Sequence, residues 1–280
     1  MDIENIAYFV KNAIAEDIGD GDHTSLSTIP KNAIGSAKLI VKEDGIIAGI
    51  DLAKIIFNEI DPQLNLEIFK QDGDAVKKTE IVFHVHGPVQ SILLAERLVL
   101  NCMQRMSGIA TTTNSIVELL KPYHTQVLDT RKTTPGLRML EKWAVKIGGG
   151  TNHRMGLYDM ILIKDNHVDY AGGIAAAINA ANDYLKSQKK QLQIEIEVRD
   201  MNELEEVLLC GNVQRIMLDN FSPSEIKHAL TRINKQYITE ASGGITKDNI
   251  LDYASTGVDY ISMGALTHSV KSLDLSLKAF

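Results

Sequence analysis

The sequence predicts an α/β protein: a parallel barrel, closed or nearly so, in its second part, preceded by a separate α+β domain. Three observations predict this. From about Thr125 onward seven short apolar runs recur with helical segments between them: "QVLDTRK", "AVKIGGG", "MILIKDNH", "IEIEVRD", "RIMLDNF", "YITEASGG" and "DYISMGA". Strands alternating with helices point to a parallel sheet, and seven are enough for a barrel. Before Thr125 the texture differs, because "AKLIVKEDGIIAGID" and "LNLEIFKQDGDAVKKTEIVFHVHG" are strand runs broken at Asp-Gly, the mark of antiparallel hairpins. Between the two textures a long helical pattern starts near Val89.

Taken in order, the elements begin with an amphipathic helix, since Ile3, Ile6, Val10 and Ile14 recur at helical spacing among acidic residues. Residues 1–110 then make the α+β domain, and 111–268 the barrel. Within the barrel, "DNFSPSEIKHALTRI" offers Ser222 as N-cap, Pro223 at the first helical position and Glu225 as the partner in a capping box. Gly257 reads as a helix stop. The strictly alternating "SLDLSLK" reads as a half-buried strand in a tail, 269–280, that returns to the first domain.

Composition narrows the function. A chain of 280 residues, 44% hydrophobic, can bury a large core. Its net charge of -7 repels nucleic acid and anionic membranes, and no apolar run approaches the ~20 residues needed to span a bilayer. Cys102 and Cys210 sit in no metal or redox spacing and follow no secretory signal, which points to a reducing cytoplasm. Against the acidic background, residues 131–164 hold seven Lys/Arg and only two acidic residues, Glu141 and Asp159. An anionic ligand would be caught there.

In a parallel barrel the functional residues collect at the carboxyl ends of the strands. Those ends hold Arg131, Lys132, Lys164, Glu195, Glu197 and Asp219, followed by two glycine loops. Lys164 closes a run read as buried on both faces, so it requires an anion nearby, either Glu197 or a ligand. Arg131, Lys132, His153 and Arg154 add more cations than the local carboxylates neutralise, which favours a ligand with several negative groups. In "IEIEV" both glutamates share a face, which points into the barrel if the apolar face meets the outer helices and is otherwise a solvated polar face. Glu197 with Asp219 suits Mg2+ or a developing cation. The loops "EASGGI" (Ser242, Gly243, Gly244) and "SMGALTHS" (Gly264, Ala265, His268) allow backbone N–H groups to close around a phosphate. On the long helix, Arg97, Asn101, Gln104, Arg105 and Gly108 form one polar stripe, either solvated or donating Arg97 to the site of a second subunit. His167 carries no assignment.

Together, "LDTRKTTPGLR", "GGGTNHRMGLYDMILIKDNH", "EIEVRD", "LDNF", "EASGGI", the early "AEDIGDGDHTS" and "AERLVLN" resemble the quinolinate phosphoribosyltransferase family. The resemblance implies an N-terminal α+β open sandwich domain and an incomplete seven-stranded (β/α) barrel, in a homodimer or higher homo-oligomer. It also implies phosphoribosyl transfer from phosphoribosyl pyrophosphate to quinolinate with loss of carbon dioxide, a Mg2+-requiring step of NAD biosynthesis. Arg97 from the neighbouring subunit, Arg131, Lys132, His153, Arg154 and Lys164 would then form the quinolinate cradle. Glu197 and Asp219 would stand near the ribose and the metal, directly or through water, with Glu195 as the substitute for Glu197. Ser242, Gly243, Gly244, Gly264, Ala265 and His268 would form the phosphate loops. The rival from another enzyme class is a Schiff-base lyase with Lys164 as nucleophile, which leaves the arginines without a role.

Overall fold

The computed structural model describes residues 3–280. They fall into two units, one running to Thr112 and resuming over Val270–Phe280, the other Thr113–Ser269.

In the first unit, α1 (Ile3–Ile18) buries Ile6 and Val10, one turn apart, as the apolar spacing requires. In α2 (His23–Thr28) the Asp22 carboxylate caps the start by accepting the Ser25 N–H at 3.0 Å. The rest of the unit is β1 (Ile34–Val41), β2 (Gly45–Ile46), α3 (Ile50–Ile60), β3 (Asn65–Ile68), β4 (Ala75–Val76), β5 (Ile81–Pro88) and the start of α4 (Val89–Leu120). The strands pair antiparallel, β5 with β1 and β3, and β2 with β4. The Asp-Gly pairs do not close hairpins between their flanking strands, as the sequence suggested. Their carboxylates are used at longer range instead: Asp44 accepts the Lys78 N–H at 2.9 Å, and Asp72 accepts the Ile50 N–H at 2.8 Å.

The second unit contains β6 (Gln126–Leu128), α5 (Arg138–Ile147), β7 (Ile161–Ile163), α6 (Asp165–Ala171), α7 (Ile174–Ser187), β8 (Ile194–Val198) and α8 (Met201–Cys210). It continues through β9 (Arg215–Asp219), α9 (Pro223–Ile233), β10 (Ile238–Ser242), α10 (Ile250–Ala254), β11 (Tyr260–Ser262) and α11 (Ala265–His268). The parallel sheet runs β7-β8-β9-β10-β11-β6, so the ladder follows the chain and then returns to its first strand. On the far side of β6 a single parallel bridge joins Leu128 to Thr151. This is a barrel left open between Thr151 and β7.

The seventh strand is therefore this one bridge. "AVKIGGG" is not a strand: Ala144–Ile147 form the last turn of α5, which buries Leu140, Ala144 and Val145 on one face. A short apolar run does not distinguish a strand from a helix turn when the period begins upstream. Elsewhere the local signals hold. Ser222 and Glu225 form the capping box that starts α9, with Pro223 in its first turn. α10 ends at Ala254, and Gly257 follows at φ +92°.

Finally β12 (Leu275–Ala279) pairs antiparallel with β1 in the first unit and buries Leu275 and Leu277. The chain leading into it covers part of the polar stripe on α4. Gln104 Nε2 donates to the Leu275 carbonyl at 2.9 Å, and Arg105 Nη1 donates to that of Val270 at 3.1 Å. A Cβ on Gly108 would stand 2.2 Å from the Lys271 carbonyl oxygen, so only glycine fits. Arg97 and Asn101 remain exposed. No helix among the described residues is long and apolar enough to cross a membrane.

Candidate active site

The carboxyl ends of the barrel strands surround a cleft of about 630 Å³. Its walls include every barrel residue assigned above to the substrate cradle, the carboxylate pair and the phosphate loops, but not Glu195; Arg97 belongs to the other unit.

One wall is basic. Arg131 and Lys132 follow β6, and the loop that holds them is tied down at several points. Arg138 Nε donates to Thr133 Oγ1 at 3.0 Å, the Thr134 N–H donates to the buried Glu141 Oε2 at 3.1 Å, and Thr267 Oγ1 donates to the Lys132 carbonyl at 2.8 Å. Arg154 is nearly buried and donates to the Met160 carbonyl at 3.1 Å. Burial, then the like charge of Arg131, lowers the pKa of its guanidinium. Lys164, straight after β7, donates to Glu197 Oε2 at 2.8 Å, yet its side chain stays 46% exposed. His167 has a local use: its Nδ1 accepts the Lys164 backbone N–H at 3.0 Å at the start of α6.

The opposite side is built from β8, β9 and the glycine loops. Glu197 ends β8 nearly buried, and Asp219 ends β9. Burial, and then the Glu197 charge, raises the pKa of Asp219. The Asp219 carboxylate is held in place by Asn220 Nδ2, which donates to it at 2.6 Å. Gly243 has φ +94°, and a Cβ there would lie 2.9 Å from the Asn220 backbone nitrogen, so the loop needs glycine on both counts. A Cβ on Gly264 would lie 2.9 Å from Lys132 Cδ, which places the lysine stem against that turn. Ala265 and His268 start and end α11 beside it.

Two expectations need correction. Glu195 points into the barrel but has no exposed surface and does not line the cleft, so it is no substitute for Glu197. A two-residue step along a strand keeps the face but moves about 7 Å deeper. His153 does line the cleft, but its Nδ1 is engaged inside the protein and its Nε2 lies against a buried carboxylate without an aligned hydrogen bond. Its Nδ1 accepts the Arg154 N–H at 2.7 Å, and its Nε2 lies 3.0 Å from Glu195 Oε2. Its backbone is also fixed, because its N–H donates to Asp129 Oδ1 at 2.9 Å and its carbonyl accepts from Lys142 at 3.1 Å.

The sequence reading missed this inner layer. Asp129 and Lys142 pair without exposed surface on either side chain, and Arg215 and Glu240 join Glu195 and His153 at the floor of the cleft. The signal was present, since "IEIEV", "RIMLD" and "ITEAS" each set a charged residue into a run that is otherwise mostly apolar.

Comparison with known proteins gives the same answer over the whole chain. Residues 22–107 match the N-terminal domain of quinolinate phosphoribosyl transferase, and 109–278 match its C-terminal domain. Quinolinate phosphoribosyltransferase (decarboxylating) 1b of Nicotiana tabacum is 48% identical over 284 residues, which cover 96% of this chain and 81% of that protein. The probable nicotinate-nucleotide pyrophosphorylase (carboxylating) of Bacillus subtilis is 44% identical, covering 94% and 89%. Among solved structures, the nicotinate-nucleotide pyrophosphorylase of Francisella tularensis superposes with a TM-score of 0.93 at 38% identity, covering 100% of this chain and 98% of that one.

Proposed function

Because this chain belongs to the quinolinate phosphoribosyltransferase family, we propose that it transfers phosphoribose from phosphoribosyl pyrophosphate to the ring nitrogen of quinolinate and releases carbon dioxide. Nicotinate mononucleotide and pyrophosphate are the other products. One observation carries the assignment of the cleft: four cations, Arg131, Lys132, Arg154 and Lys164, line it together with the carboxyl groups of Glu197, Asp219 and the unexposed Glu240. The cations outnumber the carboxylates, as an anionic substrate requires.

Arg131, Arg154 and Lys164 hold the two carboxylates, the arginines through their planar forks and Lys164 as a point charge beside Glu197. His153 shapes the wall rather than donating a ring N–H, since Glu195 faces its Nε2. With the dianion fixed, the ring nitrogen faces the sugar, and orientation removes much of the entropic barrier. Lys132, its stem against Gly264, stands with the loops Ser242–Gly244 and Gly264–His268 where phosphate groups bind.

As the nitrogen lone pair forms its bond to the ribose carbon, the bond from that carbon to the pyrophosphate oxygen breaks. Positive charge builds on the sugar, where Glu197 and Asp219 stabilise it. The same carboxylates fit Mg2+: they are oxygen donors of like charge, and Asp219 is disfavoured as an anion without a cation near it. Bound there, Mg2+ would offset the charge of the pyrophosphate. When the neighbouring carboxylate departs as carbon dioxide, its bonding electron pair stays on the ring carbon as a carbanion that the adjacent positive nitrogen stabilises, and that carbon is then protonated. Arg97, exposed on α4, completes the cradle of a second copy in a homodimer or higher homo-oligomer.

The direct test is incubation with quinolinate, phosphoribosyl pyrophosphate and Mg2+, with nicotinate replacing quinolinate as control. Nicotinate mononucleotide from quinolinate alone, abolished by chelation, supports the reading; a folded protein without product refutes it. Mixing Arg97→Ala with Lys164→Ala restores activity only if chains share a site.

A further inference from the structure

At the floor of the cleft, inside the barrel, four side chains from separate segments meet: His153 and Glu240 of β10, which line the cleft, with Glu195 of β8 and Arg215 of β9 behind them. Neither glutamate has exposed surface. Arg215 Nη1 donates to Glu240 Oε2 at 3.1 Å and stands 4.0 Å from Glu195 Oε2, with its guanidinium 4.7 Å from the Tyr260 ring centre. His153 Nε2 lies 3.0 Å from Glu195 Oε2 and 3.5 Å from Glu240 Oε2. Nevertheless both oxygens of Glu195, Oε1 of Glu240, Nε2 of His153 and Nε of Arg215 have no aligned hydrogen-bond partner. Buried polar atoms are nearly always paired, so such a cluster marks something shared among them, a metal ion or a proton.

The spacing admits a metal, because His153, Glu195 and Glu240 present ligand atoms within 4.8 Å of one another. The histidine ring argues against it. Nδ1 accepts the Arg154 N–H at 2.7 Å and so holds the ring's lone pair, which leaves the proton of a neutral ring on Nε2. A metal ligand needs its lone pair at that same Nε2. Arg215 also brings a fixed positive charge against both carboxylates.

A proton fits where a metal does not. As a carboxylic acid, Glu240 accepts from Arg215 at Oε2 and donates from Oε1 to Glu195, whose carboxylate also receives the His153 Nε2–H. Each orphaned carboxyl oxygen then has a partner. We propose that Glu240 carries a proton at the floor of the cleft and acts as a positioning residue, keeping that floor neutral so that the cations above it can hold a dianion. The inference rests on the dicarboxylate reading of the cleft. With Glu240 neutral, Arg215 balances Glu195 and the buried set has no net charge. Ionised, Glu240 would put an uncompensated negative charge under the anion and withdraw the donor from Glu195.

Burial first, and then the Glu195 charge, pushes Glu240 up to about 8, while burial pushes Glu195 up to about 7, so of the coupled pair Glu240 holds the proton more tightly. The groups facing it are Glu195 from β8, Arg215 from β9, Ser262 from β11 and His153; Arg154 and Lys164 act on Glu195. The acid form is the binding form, so affinity is present below that pKa and lost as pH rises through it.

The test is calorimetric titration from about pH 7 to about pH 9.5 with two dianions, quinolinate and phthalate, the latter lacking the ring nitrogen. In the wild type, affinity for both falls toward about tenfold per pH unit above the Glu240 pKa. In Glu240→Gln the amide accepts from Arg215 and donates to Glu195 at every pH, so the slope disappears. A slope that persists in Glu240→Gln, or is absent from the wild type, overturns the proposal. Infrared spectra of the wild type with isotope-labelled glutamate decide the matter if the variant does not fold: a protonated carboxyl at neutral pH that is lost by about pH 9.5 supports the proposal, and its absence overturns it. A slope with phthalate but no turnover of quinolinate upholds Glu240 and rejects the substrate. Normal turnover with flat affinity for both dianions upholds the substrate and rejects Glu240.

Discussion

Two of the lysine–carboxylate pairs in the barrel unit differ in what they leave over. Lys142 and Asp129 have no exposed surface, and their remaining bonding capacity is used by the chain itself: Asp129 also accepts from Asn152 and from the His153 N–H, and Lys142 donates to the His153 carbonyl. Burial lowers the pKa of Lys142 and raises that of Asp129, each opposed by its partner, so the pair survives by mutual compensation. Lys164 and Glu197 make an equally direct contact, but the lysine is half-exposed and opens onto the cleft. The same two chemical groups thus fix a backbone in one place and remain available to a ligand in the other. What separates structure from function here is unspent bonding capacity.

The sharpest way to break this contrast is to remove each lysine. Lys142→Met leaves Asp129 buried without its counter-charge and should cost about 3–5 kcal/mol, read from urea unfolding. An unchanged midpoint would mean the pair was never desolvated. Lys164→Ala should leave stability within about 1 kcal/mol, because the ammonium is largely solvated, while turnover of quinolinate falls roughly 10²–10³-fold. If both variants lose stability alike, the distinction collapses. Gly243→Ala forces a Cβ onto the Asn220 backbone at positive φ, costing about 1–3 kcal/mol and raising the KM for phosphoribosyl pyrophosphate more than that for quinolinate. Equal rises would detach this loop from the phosphate. Smallest of all, Ser222→Ala removes the α9 cap and should cost about 1 kcal/mol with kcat unchanged, which sets the background for the other three.

The cleft lining was legible in the sequence to the depth of one residue. A strand that ends in Lys164, Glu197 or Asp219 announces a mouth, because a parallel strand gives its last side chain to the loops above it. The inner layer was harder to read. Whether Glu195 faces the cleft or the core depends on depth along a strand whose face the alternation alone specifies. The His153 ring is oriented by the Arg154 N–H and a carboxylate 42 positions later, and no local spacing encodes such a contact. The same limit applies to the fold. The Ser222–Glu225 box is local and was readable, whereas the helical turn at Ala144–Ile147 depends on a face that begins at Leu140. Asp44 and Asp72 sit in good turn sequences, but their carboxylates answer to N–H groups 34 and 22 positions away.

The return of β12 to β1 has a consequence for biosynthesis. While the chain is being made, the edge of β1 from Ala37 to Val41 has its strand partner β5 within the next fifty or so residues, but its other partner only after Ala279 has emerged. The barrel unit is contiguous and can close first, so the half of the protein translated earliest is the last to be finished. Until then an unpaired strand edge stands open on the nascent chain, a template for pairing with a neighbouring polypeptide on the same messenger.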